Sequence, residues 1–140
     1  MKRTASRLAL TLLLFAASNR CLAEMGIVKV SKEQAKELGM EVRFTDNGPN
    51  EVWVELEFKP EGKLKDFRHV SLEIRDGAKL LMGYSPLKEK RPKSGVVVVG
   101  FLANRSYLDK VTLSVVTGFP MNMTGHELRL KEFVGPAKPR

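Results

Sequence analysis

Alternation of apolar and polar residues with a period of two is the feature that most restricts this chain. The clearest case, the segment EVWVELEFK, places Val52, Val54, Leu56 and Phe58 on one face, with Trp53 and four charged residues on the other. Successive side chains of a β-strand point to opposite faces, so the pattern predicts a strand with one face on a core. The chain is therefore expected to fold from sheets that each bury one side.

The same pattern recurs along most of the chain and predicts seven or eight short strands. Turn-forming residues separate them, which favours an all-β fold, an antiparallel β-sandwich that is Ig-like in the broad sense. A barrel is the main alternative. The segment 95–103 is apolar on both faces, which predicts a central, doubly covered strand. The predicted strands span, in order, 27–30, 40–45, 51–59, 70–75, 78–82, 95–103, 111–117 and 126–134.

One hairpin can be predicted down to its register. A two-residue Asp-Gly turn would place Lys79 opposite the core residue Ile74. A three-residue loop, Arg-Asp-Gly, instead pairs Ile74 with Ala78 and Leu72 with Leu80, so that inward residues face one another. The second register is the favoured one.

One short helix is predicted near the start of the domain. Ser31 and Gln34 have the spacing of a capping box, in which each side chain bonds the backbone N–H of the other's residue. Good helix formers follow to Leu38, and Gly39 stands where a helix would end.

Residues 1–23 have the order of a signal peptide. Three basic residues precede a run of ten apolar residues, LALTLLLFAA, and small residues precede a cut after Ala23. A membrane-spanning helix needs about 20 residues, so no transmembrane anchor is expected. We expect a secreted or periplasmic domain over 24–134 and a disordered tail over 135–140. Lipidation of Cys21 is the alternative to its removal with the signal.

Cleavage after Ala23 also changes the covalent and charge character of the chain. It removes Cys21, the single cysteine, so the mature domain of about 117 residues must be held by its core without disulfides. It leaves 20 basic and 16 acidic residues, a net charge of +4. Because acids and bases alternate, no nucleic-acid partner is expected.

A Met-x-Met-x-x-His segment is the candidate metal site. Thioether and imidazole are ligands that suit copper, so Met121, Met123 and His126 predict a copper site on one loop. The alternative is that the two methionines fill gaps in the packing and His126 begins a strand. No other cofactor is expected.

Three acidic or aromatic residues on one strand face form the candidate sugar site. Trp53 could stack on a sugar ring while Glu55 and Glu57 accept hydrogen bonds from its hydroxyl groups. The alternative is that the indole of Trp53 lies flat over the neighbouring strand.

The sequence predicts a binding protein rather than an enzyme. The mature chain has no cysteine, only two histidines and neither a G-x-S-x-G nor a P-loop motif, so we expect no enzyme. The favoured function is an exported domain that binds an unknown protein partner, with an exposed apolar patch expected around Trp53, Tyr84 and Phe119. A small-ligand binder, for copper or carbohydrate, is the alternative. The basic run 88–93 suggests either an anionic surface or a solvated loop.

Overall fold

The computed structural model describes residues 25–84, 88–91 and 94–135. The predicted signal peptide and its cut, and nearly all of the predicted tail, lie outside the described residues. In chain order the strands are β1 (Gly26–Lys29), β2 (Glu41–Asp46), β3 (Glu51–Phe58), β4 (Phe67–Asp76), β5 (Lys79–Tyr84), β6 (Lys88–Lys90), β7 (Val97–Asn104), β8 (Val111–Phe119) and β9 (Asn122–Arg129).

The described strands form two separate sheets rather than a closed barrel. The five-stranded sheet has the order β1-β9-β8-β4-β5 and the four-stranded sheet has the order β2-β3-β7-β6. Helical structure is limited to α1 (Lys32–Glu37) and three 3₁₀ turns, at Gly62–Leu64, Arg105–Lys110 and Leu130–Glu132. Within the described ranges, no helix has the length and apolar character needed to cross a bilayer.

Two details differ from the sequence prediction. The described residues contain nine strands rather than seven or eight, because Lys88–Lys90, expected in a loop, pairs with β7 at a sheet edge. The sheets are also not wholly antiparallel, since β1 runs parallel to β9. Local alternation identifies a strand, but the direction of its neighbour depends on residues far away in the sequence.

The apolar faces of the two sheets form one core. On β3 the alternation is confirmed, because Val52, Val54, Leu56 and Phe58 are each at most 2% exposed. Phe58 contacts Phe67 of the other sheet edge to face, with ring centroids 5.1 Å apart. The five-stranded sheet contributes the further buried residues Val70, Leu72, Val111, Leu113, Val115 and Leu128. The fold is therefore a two-layer, β-sandwich-like all-β structure.

The predicted helix and its capping box are confirmed. The backbone N–H of Gln34 donates to Ser31 Oγ at 3.2 Å, and the backbone N–H of Ser31 donates to Gln34 Oε1 at 2.9 Å. Helix α1 ends at Glu37, and Gly39 follows with φ +70°. Ala35 is the buried residue of the helix, so this short element is attached to the core by one small side chain.

Both registers considered for the β4–β5 hairpin are wrong. Gly77, with φ +58°, and Ala78 form a two-residue turn, in place of the favoured Arg-Asp-Gly loop and one residue later than the alternative Asp-Gly turn. Glycine at the first central position suits the tight turns that connect twisted strands. Ile74 then lies opposite Met82, and the register shifts at the next residue, which leaves Leu81 without a partner on β4. This irregularity is a β-bulge.

Candidate functional site

Strand β5 carries three consecutive large apolar residues that are all exposed. Leu80, Leu81 and Met82, which we call the β5 patch, are 48%, 44% and 53% exposed. Strand β5 is at the end of its sheet, and β4 is its one neighbour among the described strands. Leu80 lies opposite Arg75 and Met82 lies opposite Ile74, and these two consecutive residues of β4 point to opposite faces, so apolar surface is exposed on both sides of β5. A contiguous surface of this kind is typical of an interaction site.

The hairpin register explains why these side chains are exposed. The predicted register would have placed Leu80 opposite the buried Leu72, but the turn at Gly77 and Ala78 places Leu80 opposite Arg75. Met82 lies opposite Ile74, which packs against the core, and is still about half exposed. The β5 patch therefore extends beyond the part of the hairpin that the core covers.

The bulge also determines how a partner can use this edge. Regular edge strands offer evenly spaced backbone groups to which a further strand can pair, and bulges disturb that spacing. Leu81 is the extra residue on β5. The edge is therefore suited to side-chain contact with a folded surface rather than to addition of a strand.

Trp53 occupies the outer face of the other sheet and lies over its neighbour. Its Nε1–H donates to Glu55 Oε1 at 2.9 Å, and the side chain is half-buried. A Cβ atom built on Gly100 of β7 would be 2.5 Å from Cζ2 of the indole, so the ring rests directly on the glycine backbone. The alternative prediction for Trp53, a ring flat over the neighbouring strand, agrees with this geometry.

Glu57 forms an ion pair with Arg43, whereas Glu55 accepts the hydrogen bond from Trp53. Arg43 Nη1 lies 3.2 Å from Glu57 Oε2, and Arg43 Nη2 lies 2.8 Å from Glu41 Oε2. The hydrogen bond from Arg43 lowers the pKa of the Glu41 carboxyl, and the two carboxylates raise the pKa of Arg43. Glu55 and Glu57 therefore have different partners, although they are neighbours on one strand face.

The structure does not bring the predicted copper ligands to one point. Met121 lies in the turn between β8 and β9 and is 74% exposed. Met123 and His126 are three residues apart on regularly paired β9, so their side chains point to opposite faces of the sheet. Within the described residues, no group of three or more His, Cys, Asp or Glu side chains is arranged to hold a metal ion.

His126 is instead a core histidine. It is 6% exposed and lies opposite Val115, which is fully buried. Its Nε2 is 3.4 Å from Thr117 Oγ1, and its Nδ1 has no hydrogen-bond partner among the described residues. Burial lowers the pKa of His126, and repulsion from Lys63 lowers it further. The ring is therefore held neutral within the five-stranded sheet.

This environment predicts a loss of stability in mild acid. The unfolded chain has a histidine pKa near 6.5, and the folded value is lower. At a pH between these two pKa values, only the unfolded chain binds a proton at His126. The stability that comes from burying the neutral ring is therefore complete above about pH 6.5 and is lost as the pH falls below that value. Urea unfolding of the wild type and His126→Gln should show a steeper loss for the wild type between about pH 7.5 and 5.5.

The matched control is the exposed histidine. At about pH 7.5, His69→Gln should change the free energy of unfolding less than His126→Gln does, because the His69 side chain is exposed on β4 and the His126 side chain is buried. Equal pH slopes for the wild type and His126→Gln would contradict the prediction.

Two residues of the expected apolar patch, Trp53 and Phe119, lie on different sheets. Phe119, 62% exposed, ends β8, and the guanidinium of Arg68 lies 5.5 Å from its ring. Tyr84 ends β5 opposite Leu72. Trp53 belongs to the outer face of the other sheet. The basic run is described only in part, as β6 and Arg91.

Comparison with protein-family models, with curated proteins and with solved structures gave no match. The geometry of the described residues must therefore support any functional proposal. Sequence reasoning missed the β5 patch, although three consecutive apolar residues at Leu80 to Met82 break the period-two alternation. That break was the available signal, because a strand buried on one face exposes every second residue.

Proposed function

We propose that the protein is an exported, non-enzymatic binding domain that acts through protein–protein contacts, and that the β5 patch is its contact surface. The observation that carries the proposal is the exposure of three adjacent large apolar side chains at a sheet edge. The order of features in residues 1–23 supports export.

The free energy of burying the β5 patch favours a macromolecular partner. Complete burial of a Leu or Met side chain contributes about 1.5–3 kcal/mol, so covering three half-exposed residues would contribute about 2–4 kcal/mol. A small ligand seldom covers three side chains on different sides of one strand, whereas a folded surface can. The patch is therefore better suited to a protein surface than to a small molecule.

Strand order supports an Ig-like classification of the fold, which we also propose. The order β2-β3-β7-β6 corresponds to the A-B-E-D sheet of immunoglobulin domains, and β9-β8-β4-β5 corresponds to G-F-C-C′. Strand β1, parallel to β9, is an addition to this arrangement. In this comparison the β5 patch lies on the C′ strand.

Site-specific photo-crosslinking would test the proposed contact. A photoreactive phenylalanine analogue at position 81, in protein mixed with the exported fraction of its own host, should give one discrete cross-linked species. In the protein that carries the analogue at position 81, Leu80→Lys should reduce recovery of that species at least about tenfold, because a buried charge without a partner is costly.

Position 107 provides the control, because Tyr107 is 48% exposed and lies outside the β5 patch. The analogue at position 107 should not give the species. A cross-link that forms equally well from both positions, or from neither, would rule out the β5 patch as the contact. Recovery of the chain from the same fraction with Glu24 as its first residue would support export.

A further inference from the structure

We propose that Trp53 and the residues that orient it form a stacking site for a sugar ring, specifically a pyranose with equatorial hydroxyl groups. The site lies on the outer face of the four-stranded sheet, whereas the β5 patch belongs to the five-stranded sheet. The inference is therefore independent of the proposed protein contact, and either one can fail without the other.

The contact with Gly100 determines how the indole of Trp53 is oriented. One part of the ring rests on Gly100, whose backbone φ lies outside the left-handed region, so glycine is required there for space rather than for conformation. Any larger residue would push the ring away from the sheet. The side chain is half-buried, so part of the ring that Gly100 supports remains accessible to solvent.

A hydrogen bond to Glu55 holds the indole in this orientation. The hydrogen bond from Nε1 to Glu55 Oε1, at 2.9 Å, fixes the rotation of the indole about its side-chain bonds. A ligand that stacks on a fixed ring loses little side-chain entropy from the protein on binding. Gly100 and Glu55 together therefore give a preorganised aromatic surface rather than a mobile one.

The residues beside Trp53 on the sheet face supply both polar and apolar groups. Thr45 lies directly opposite Trp53 on β2, and Leu102, 45% exposed, lies opposite it on β7. Glu55 has a second carboxylate oxygen, Oε2, that does not accept the indole bond. A hydroxyl donor, a carboxylate acceptor and an apolar side chain are thus neighbours of Trp53 on one sheet face.

This combination selects a neutral ring with hydroxyl groups at its perimeter. A pyranose with equatorial hydroxyls has C–H bonds on both faces, which suit the negative face of an indole, and its hydroxyls both donate and accept. Arg43 already neutralises Glu57, which reduces the attraction for a cation at this face. The site is therefore assigned to gluco-configured pyranose units rather than to a basic peptide.

Trp53 is the single tryptophan of the chain, so intrinsic fluorescence reports on this site alone. Titration with cellohexaose and with chitohexaose should give a saturable change in emission for at least one of them, with half-saturation at or below about 1 mM. Isothermal titration calorimetry should show binding of that sugar to the wild type and none to Trp53→Ala.

The positioning residues provide the more specific test. Gly100→Ala, which displaces the indole, should weaken binding at least about tenfold while leaving Trp53 in the chain. Glu55→Gln keeps a hydrogen-bond acceptor and should weaken binding less. Leu81→Lys in the β5 patch should bind the sugar like the wild type. Far-ultraviolet circular dichroism shows whether each variant is folded. If Gly100→Ala does not fold, Trp53→Phe replaces it as the test variant.

Three results would overturn the assignment. One is the absence of a saturable response to either sugar up to about 10 mM, which is weaker than specific binding requires. Another is a saturable response to a hexalysine peptide and not to the sugars, which would identify a cation site. The third is unchanged sugar affinity in a folded Gly100→Ala or Trp53→Phe variant.

Discussion

Replacement of Gly118 by alanine is expected to destabilise the domain by at least about 3 kcal/mol, because backbone strain and a steric clash add. Gly118 has φ +96°, which L side chains rarely adopt, and its added Cβ would be 2.3 Å from the backbone oxygen of Asn122. A backbone atom in a paired strand cannot move aside as a flexible side chain can. Urea unfolding monitored by circular dichroism would measure the loss.

Gly48→Ala is the matched control for this substitution. Gly48 has a similar φ of +103°, but nothing lies within 4 Å of an added Cβ. Gly48→Ala should therefore lower the free energy of unfolding only through backbone strain, by about 1–2 kcal/mol. Equal losses for the two variants would show that the β8–β9 turn relaxes around the clash.

Phe58→Ala is expected to cost about 3–5 kcal/mol, the range for a large aromatic residue removed from a core. Phe58 is 1% exposed and contacts Phe67 with an interplanar angle of 77°. A domain of this size has a total stability of about 5–15 kcal/mol, so the variant should be marginally folded or unfolded at 37 °C. Thermal unfolding followed by calorimetry would show this.

Phe119→Ala is the corresponding control on the surface. Phe119 is 62% exposed, and its contact with the Arg68 guanidinium is the main interaction removed. An exposed cation–π contact contributes about 0.5–1 kcal/mol, so the expected loss is small. If Phe119→Ala destabilised the domain as much as Phe58→Ala, the assignment of the core would be in error.

Much of the fold was predictable because local sequence specifies local structure. The alternation on β3 predicted which four residues are buried, and the capping box predicted where α1 begins. Each depends on residues at most a few positions apart, through the two-residue period of a strand and the first turn of a helix. The two-sheet arrangement followed from the number of strands that each bury one face.

Non-local pairing was not predictable from the same patterns. The parallel direction of β1 depends on β9 at the other end of the domain, and β6 became a strand because β7 supplies backbone partners. The hairpin register was wrong for a different reason, since the turn forms at Gly77 and Ala78, and a bulge at Leu81 then shifts the pairing by one more residue. The β5 patch, which depends on that register, was missed with it.

The candidate metal site depended on where a strand begins. The predicted strand started at His126, which left Met123 on the preceding loop, whereas β9 starts at Asn122 and includes both residues. On a strand, residues an odd number of positions apart point to opposite faces. The two ligands are therefore separated because β9 starts four residues earlier than the alternation around Leu128 indicated.

The parallel pairing of β1 with β9 has a consequence for the order of folding. Gly26 pairs with Thr124, so the first described strand depends on the last one, which is synthesised after almost all of the domain. Contacts that distant in sequence slow folding, because the intervening chain must be ordered first. A nascent chain that stalls before β9 leaves β1 unpaired, and only the final strand can complete the five-stranded sheet.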